Sequence, residues 1–223
     1  MGRAARFLFG YPSRVFSFRN IALVLGLAVA ALAAYWGFAA WQKRSQFNAI
    51  ADTVAEGTAQ LRGSLTAAPT GRSIAAIEAA IERLQSMRVS RQIAFAGAAG
   101  TYLSAARTVI LRRADETRIA PQAVASRDAL AAHMGTPRGR NDDWIRRAAE
   151  LKKRMDGDQL DLDRVLNALA ELLGTFPEVE KPVLAFVDAS YVLDEPTRAA
   201  ALKRVQADRK HAADEIAKFN LSR

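Results

Sequence analysis

The chain has 223 residues, half of them hydrophobic and 25% charged, with a net charge of +9 and no cysteine. That length supports one ordinary core or a pair of helical subdomains, and the absence of cysteine excludes disulfides, thiolate metal sites and thiol nucleophiles. Four of the positive charges (Arg3, Arg6, Arg14, Arg19) precede residue 20, leaving 9 − 4 = +5 for the rest. Such a balance suits anionic surfaces or acidic partners without calling for nucleic acid.

The first twenty residues interleave those arginines with Phe7, Leu8, Phe9, Tyr11, Phe16 and Phe18. Aromatics seek the headgroup region and cations meet anionic lipid, so residues 1–20 are expected to form a cytoplasmic interfacial foot. Residues 21–41, IALVLGLAVAALAAYWGFAAW, then run without a charge. As a helix this stretch is about 31 Å long, enough to cross a hydrocarbon core about 30 Å thick. Ile21, Leu25 and Leu32 would face lipid, and Tyr35, Trp36 and Trp41 gather at one end as an interfacial belt does.

Four arginines before the run, against Lys43 and Arg44 after it with Asp52 and Glu56 close behind, place the N-terminus in the cytoplasm. Ala31-Leu32-Ala33 resembles a signal-peptidase box, but the apolar run continues through Trp41, longer than a usual signal core. The expectation is an uncleaved single-pass anchor in a bacterial inner membrane, with residues 42–223 in the periplasm.

Beyond the anchor, Phe47, Ile50, Val54, Leu61 and Leu65 mark one apolar helix face that stops at Ala67-Ala68-Pro69-Thr70-Gly71. Ser73 is expected to cap a second helix carrying Ile74, Ile77, Ile81 and Leu84. The nearly uncharged segment from Ile93 to Leu111 raises a second span. Arg107 opposes it, at about 2.5–3.5 kcal/mol deep in a bilayer, and a central helix of a bundle fits better.

Pro121 is expected to open the next helix, with Leu130 and Met134 inside it and Gly135 at its end. Asn141 would cap a short helix with Trp144, Ala148, Leu151 and Met155 on its apolar face. Asp158 would cap another, holding Leu162, Val165, Leu166, Leu169, Leu172 and Leu173 and closing at Gly174. Pro177 and Pro182 suggest a turn, and Asp194-Glu195-Pro196 starts the last helix, with Leu202, Val205, Ala212, Ile216 and Phe219 as its stripe. No stretch alternates as a strand does. The fold class read here is all-α, an N-terminal transmembrane helix followed by an exported bundle of six or seven helices.

Three stretches invite a chemical reading. Asp156-Gly157-Asp158 to Asp163 is acid-rich, but its spacing does not fit a calcium loop, and acids at a helix start complement the helix dipole without an ion. Arg138, Arg140, Arg146, Arg147, Lys152, Lys153 and Arg154 form a basic run offset by Asp142, Asp143, Glu150 and Asp156; Arg146, Arg147, Lys152 and Lys153 are its candidate partner contacts. His133 before Met134 could in principle hold a haem, yet the chain has no attachment motif, and His133 and His211 read as polar surface. Hydrolase, phosphate-loop and dinucleotide signatures are absent.

No cofactor, metal, nucleic acid or small-molecule substrate is therefore expected, and the expected partners are membrane lipids and a membrane-protein complex. Two functions compete. One is a non-catalytic accessory or scaffold subunit docked on an envelope complex. The other is a ligand-sensing bundle, whose layout broadly resembles the periplasmic helical domains of chemoreceptors and sensor kinases.

Overall fold

The computed structural model describes the backbone of residues 18–90, 92–137 and 142–221. These form five α-helices: α1 (Phe18–Thr66), α2 (Gly71–Ser86), α3 (Ile93–Met134), α4 (Asp142–Leu184) and α5 (Glu195–Leu221). A single 3-10 turn, Ala189–Tyr191, lies between α4 and α5, and no strand occurs among the described residues. The chain divides into two compact units, Met1–Ser45 and Gln46–Arg223.

The second unit is a helical bundle with its own core. Ile50, Val54, Leu61 and Leu65 of α1 meet Ile77 and Leu84 of α2 and Phe95, Tyr102, Leu103 and Ile110 of α3. The α4 stripe from Leu162 to Val183 joins them, and α5 adds Ala201 and Val205. These are the three- and four-residue spacings of the sequence, buried as such stripes must be. A smaller cluster of Leu130, Leu151 and Met155 ties the end of α3 to the start of α4. Above it the imidazole of His133 stacks on Trp144 at 4.8 Å, and its Nε2 lies 3.0 Å from the Trp144 carbonyl. His133 is thus a packing residue rather than the loose polar surface expected of it.

Several boundaries fall elsewhere than the sequence suggests. The cap of α2 is Thr70, whose hydroxyl accepts from the Ser73 N–H, so Ser73 lies inside the first turn. Pro121 sits within α3, and Gly157, Gly174, Pro177 and Pro182 sit within α4. Five long helices consequently replace the expected six or seven.

The reason is tertiary. A proline removes one N–H and leaves the carbonyl four residues back without its helical donor. Pro121 and Pro182 are exposed, as are Thr117 and Glu178 four residues before them, so water can take the donor's place. The buried stripe meanwhile runs on past each breaker: Ala123, Ser126 and Leu130 beyond Pro121, and Phe176 and Val183 beyond Gly174. Packing of that face outweighs a local penalty of about 1 kcal/mol for glycine and about 3 kcal/mol for proline.

The sequence does mark the start of α5. Asp194 accepts from the N–H and hydroxyl of Thr197, at 3.0 and 2.6 Å, and from Arg62 Nε of α1 at 2.9 Å. The Thr197 hydroxyl bond chiefly holds its carboxyl below the usual aspartate range, with the Thr197 N–H and Arg62 adding to it. Asp194→Ala should cost about 1 kcal/mol at neutral pH, as a lost cap does. With the folded-state pKa depressed, the carboxylate's contribution is complete above the unfolded value. It is lost as pH falls through the folded one. Thermal melts of wild type and variant should therefore separate at neutral pH and converge in acid.

Candidate membrane anchor and partner surface

Among the described residues, two helical segments are long and apolar enough to cross a membrane by length and composition, Leu25–Thr66 and Ile93–Met134. They differ in what covers them. In α1, Leu25, Leu32, Tyr35, Trp36 and Trp41 are all exposed; Leu27 reaches 68% and Trp36 69%. Leu23, Leu25, Leu27, Val29 and Leu32 point in different directions at 100° per residue, so the exposed apolar surface wraps the helix rather than forming a stripe. At roughly 25 cal/mol per Å², such a surface is strongly driven out of water. Ile21 lies in α1, with its side chain outside the described set.

In α3 the chain itself covers the apolar side: Phe95, Ala99, Tyr102, Leu103, Ala106, Val109 and Ile110 are buried. Arg107 Nη2 and Nε reach Glu78 Oε1 of α2 at 2.6 and 3.0 Å.

Of the foot, Arg3, Arg6, Phe7, Phe9, Tyr11, Arg14 and Phe16 lie outside the described residues. Phe18 and Arg19 open α1, with their side chains undescribed. On α4, Arg146 pairs with Asp143, Arg147 with Glu150 at 3.2 Å and Lys152 with Asp156 at 2.9 Å. Each is a pair three or four residues apart along one helix, worth a few tenths of a kcal/mol. Lys153 is exposed, as is Ile145 beside the pairs. Arg138 and Arg140 lie outside the described residues.

The acid run is not at a helix start, so the dipole does not account for it. Asp156, Asp158, Asp161 and Asp163 lie within α4 and pair with Lys152, Arg154, Arg164 and Arg209. Among the described residues no group of three His, Asp or Glu side chains comes together as a metal would need.

Sequence reasoning missed the polar groups inside the bundle. The Tyr102 hydroxyl lies 2.8 Å from Thr58 Oγ1 and accepts from the Leu193 N–H at 3.1 Å, while Thr58 donates to the Tyr191 carbonyl at 2.7 Å. This network ties α1 and α3 to the connection before α5, and its partners are 44, 91 and 133 residues apart, beyond any local pattern. Glu116 of α3 is buried between Arg113, at 2.8 Å, and Arg204 of α5, at 3.7 Å; Arg204 also donates to the Leu65 carbonyl near the end of α1. Burial pushes the Glu180 carboxyl up, although Arg198, 2.7 Å away, pulls it down.

A cavity of about 150 Å³ opens between α3, α4 and α5, with Ala123, Val124, Leu162 and Ala212 in its apolar wall and Arg127, His211 and Glu215 at its polar side. Gln159 also lines it, buried, and its carbonyl oxygen finds no hydrogen-bond partner among the described residues. An unmade buried hydrogen bond costs about 1–3 kcal/mol, whereas an apolar group of similar shape avoids that cost. Gln159→Leu removes that oxygen together with the bond its Nε2 donates to the Ala123 carbonyl at 3.4 Å, so the two effects offset and denaturant unfolding should shift by less than about 1 kcal/mol.

No family model, curated protein or solved structure matches the chain.

Proposed function

We propose that this chain is a non-catalytic accessory or scaffold subunit, tethered by one helix to a bacterial inner membrane, with a periplasmic helical bundle that docks on a larger envelope complex. The observation that carries this reading is the sheath of exposed apolar side chains from Leu23 to Trp41, beside a helical unit that covers its own core. Single-pass topology is supported by α3, whose apolar face is occupied by the bundle and whose Arg107 is paired with Glu78. The arginines ahead of the anchor support a cytoplasmic N-terminus. Exposed Ile145 near the start of α4 offers a docking point.

The test is mild detergent extraction and capture through a C-terminal tag, followed by mass spectrometry. The account predicts reproducible, near-equimolar recovery with a membrane-protein complex. Recovery of the chain alone, as monomer or homodimer, contradicts it.

The cavity between α3, α4 and α5 favours a second reading, a ligand-sensing bundle. Under that reading, thermal shifts of the intact protein against a panel of small metabolites would show a saturable rise. The accessory reading predicts none.

A further inference from the structure

Helix α5 is held in two different ways along its length. Its first half is packed. Ala201 and Val205 enter the core, Arg198 Nη1 meets the buried Glu180 carboxylate at 2.7 Å, and Arg204 Nη1 donates to the Leu65 carbonyl at 3.1 Å. Of the described side chains from residue 206 to 217, Ala212 alone is buried. It stands between two spaces. On one side is the cavity of about 150 Å³ walled by Ala123, Val124, Leu162 and Leu166, and on the other an open groove bordered by Asp156, Leu160 and Ile216. Close-packed interiors leave few such gaps, so this half of α5 gains little from burial.

Charge ties this half down. Arg209 Nε of α5 lies 3.6 Å from Asp163 Oδ1 of α4, and Arg127 Nη1 of α3 lies 3.3 Å from Glu215 Oε2 of α5. The two pairs flank Ala212 in sequence, one on each side. Both are partly open to water, where an ion pair is weak and salt screens it.

We infer that the outer half of α5, residues 206–217, is a charge-held strap that lifts from α3 and α4 as a unit while residues 195–205 stay docked. Lifting uncovers Ala123, Leu162 and Leu166, a buried apolar strip that the strap otherwise keeps from water. Ionic strength sets how often the strip is open, because the screening length shrinks from about 8 Å at 0.15 M salt to about 3 Å at 1 M. The device lies wholly within the bundle and works the same whatever the bundle docks on.

The chain contains no cysteine, so single thiols report the opening. Ala123→Cys places one beneath the strap, beside the cavity that gives its sulfur room, and Ala201→Cys places one on the core side of the docked first half. Each is made in the full chain, purified in mild detergent and labelled with a maleimide. While opening and closing are fast relative to labelling, the rate follows the open population. Asp163→Asn and Arg127→Gln are then added, singly and together. Ala212→Cys, on the strap's own buried face, gives the same reading should Ala123→Cys fail to fold.

Each removal is expected to speed labelling at position 123 by about 1.4- to 5-fold, and the two together by about 2- to 30-fold. Raising salt to 1 M acts in the same direction when both pairs are present, and position 201 stays slow throughout. An unchanged rate at position 123 overturns the strap. An equal rise at position 201 overturns it as well, because the whole helix or the whole bundle is then opening. So does a response to Arg127→Gln without one to Asp163→Asn, since fraying from the chain end reaches Glu215 before Ala212 and does not involve Asp163.

Discussion

Leu27→Arg and Leu32→Arg, made together, will release the full-length chain from the membrane fraction into the soluble or aggregated fractions. Each arginine near the centre of a span costs about 2.5–3.5 kcal/mol, so the pair removes roughly 5–7 kcal/mol, several thousand-fold or more in partition. Both positions are exposed in α1 and touch no part of the core, so the bundle should keep its helical signal and its melting temperature. That separation is the informative part. A helix belonging to the bundle would lose stability with its leucines, whereas a tether loses only its membrane. Alkaline carbonate extraction of membranes, with circular dichroism of the released protein, reads both quantities.

Gly57→Ala is the substitution with the largest expected effect inside the bundle for the atoms it adds. Gly57 is buried where α1 faces α2 and α3. A Cβ there would collide with Leu103 Cδ2 and approach Ile77 Cδ1 at 2.9 Å. Both neighbours are fully buried and have little room to yield. Overpacking of this kind costs about 1–3 kcal/mol, against about 1 kcal/mol gained from the better helix propensity of alanine.

A net loss of up to about 2 kcal/mol is expected, lowering the melting temperature by up to a few degrees. Leu103→Ala alone should cost about 2–5 kcal/mol by opening a cavity. Placing Gly57→Ala in that background should cost nothing or restore part of the loss, because the new methyl occupies the vacated space. A double-mutant cycle with no coupling would show that Leu103 is not what requires glycine there.

Local chemistry made some of this structure legible in the sequence. The apolar faces of α1 and α2 follow from spacing, as do Leu202 and Val205 of α5, while the side chain of Phe219 lies outside the described residues, and Asp194 caps α5 where an acid before Glu195-Pro196 suggested a start. The continuity of α3 and α4 was not legible. Pro121, Gly174, Pro177 and Pro182 are breakers by every local rule, and only the buried stripe that continues past them carries the helices through. The acid run around Asp156 misled for the same reason: read as a helix start, it is the paired surface of a longer helix.

The apolar run of residues 21–41 was legible as a long helical segment, since a charge-free run of that length needs no tertiary context to be recognised. The Thr58–Tyr102–Leu193 network could not be read at all. A threonine, a tyrosine and a backbone N–H acquire meaning only when the fold brings them together.

The central claim is one crossing by α1 and none by α3, and single cysteines read by a membrane-impermeant maleimide in sealed, oriented membranes test it most directly. Ser13→Cys, Ser86→Cys and Ala132→Cys precede α1, close α2 and lie near the end of α3. The account predicts that Ser86→Cys and Ala132→Cys are labelled from the same, periplasmic side, and that Ser13→Cys is labelled only after permeabilisation. Labelling of Ser86→Cys and Ala132→Cys from opposite sides would make α3 a second span, and labelling of all three from one side would remove the crossing altogether.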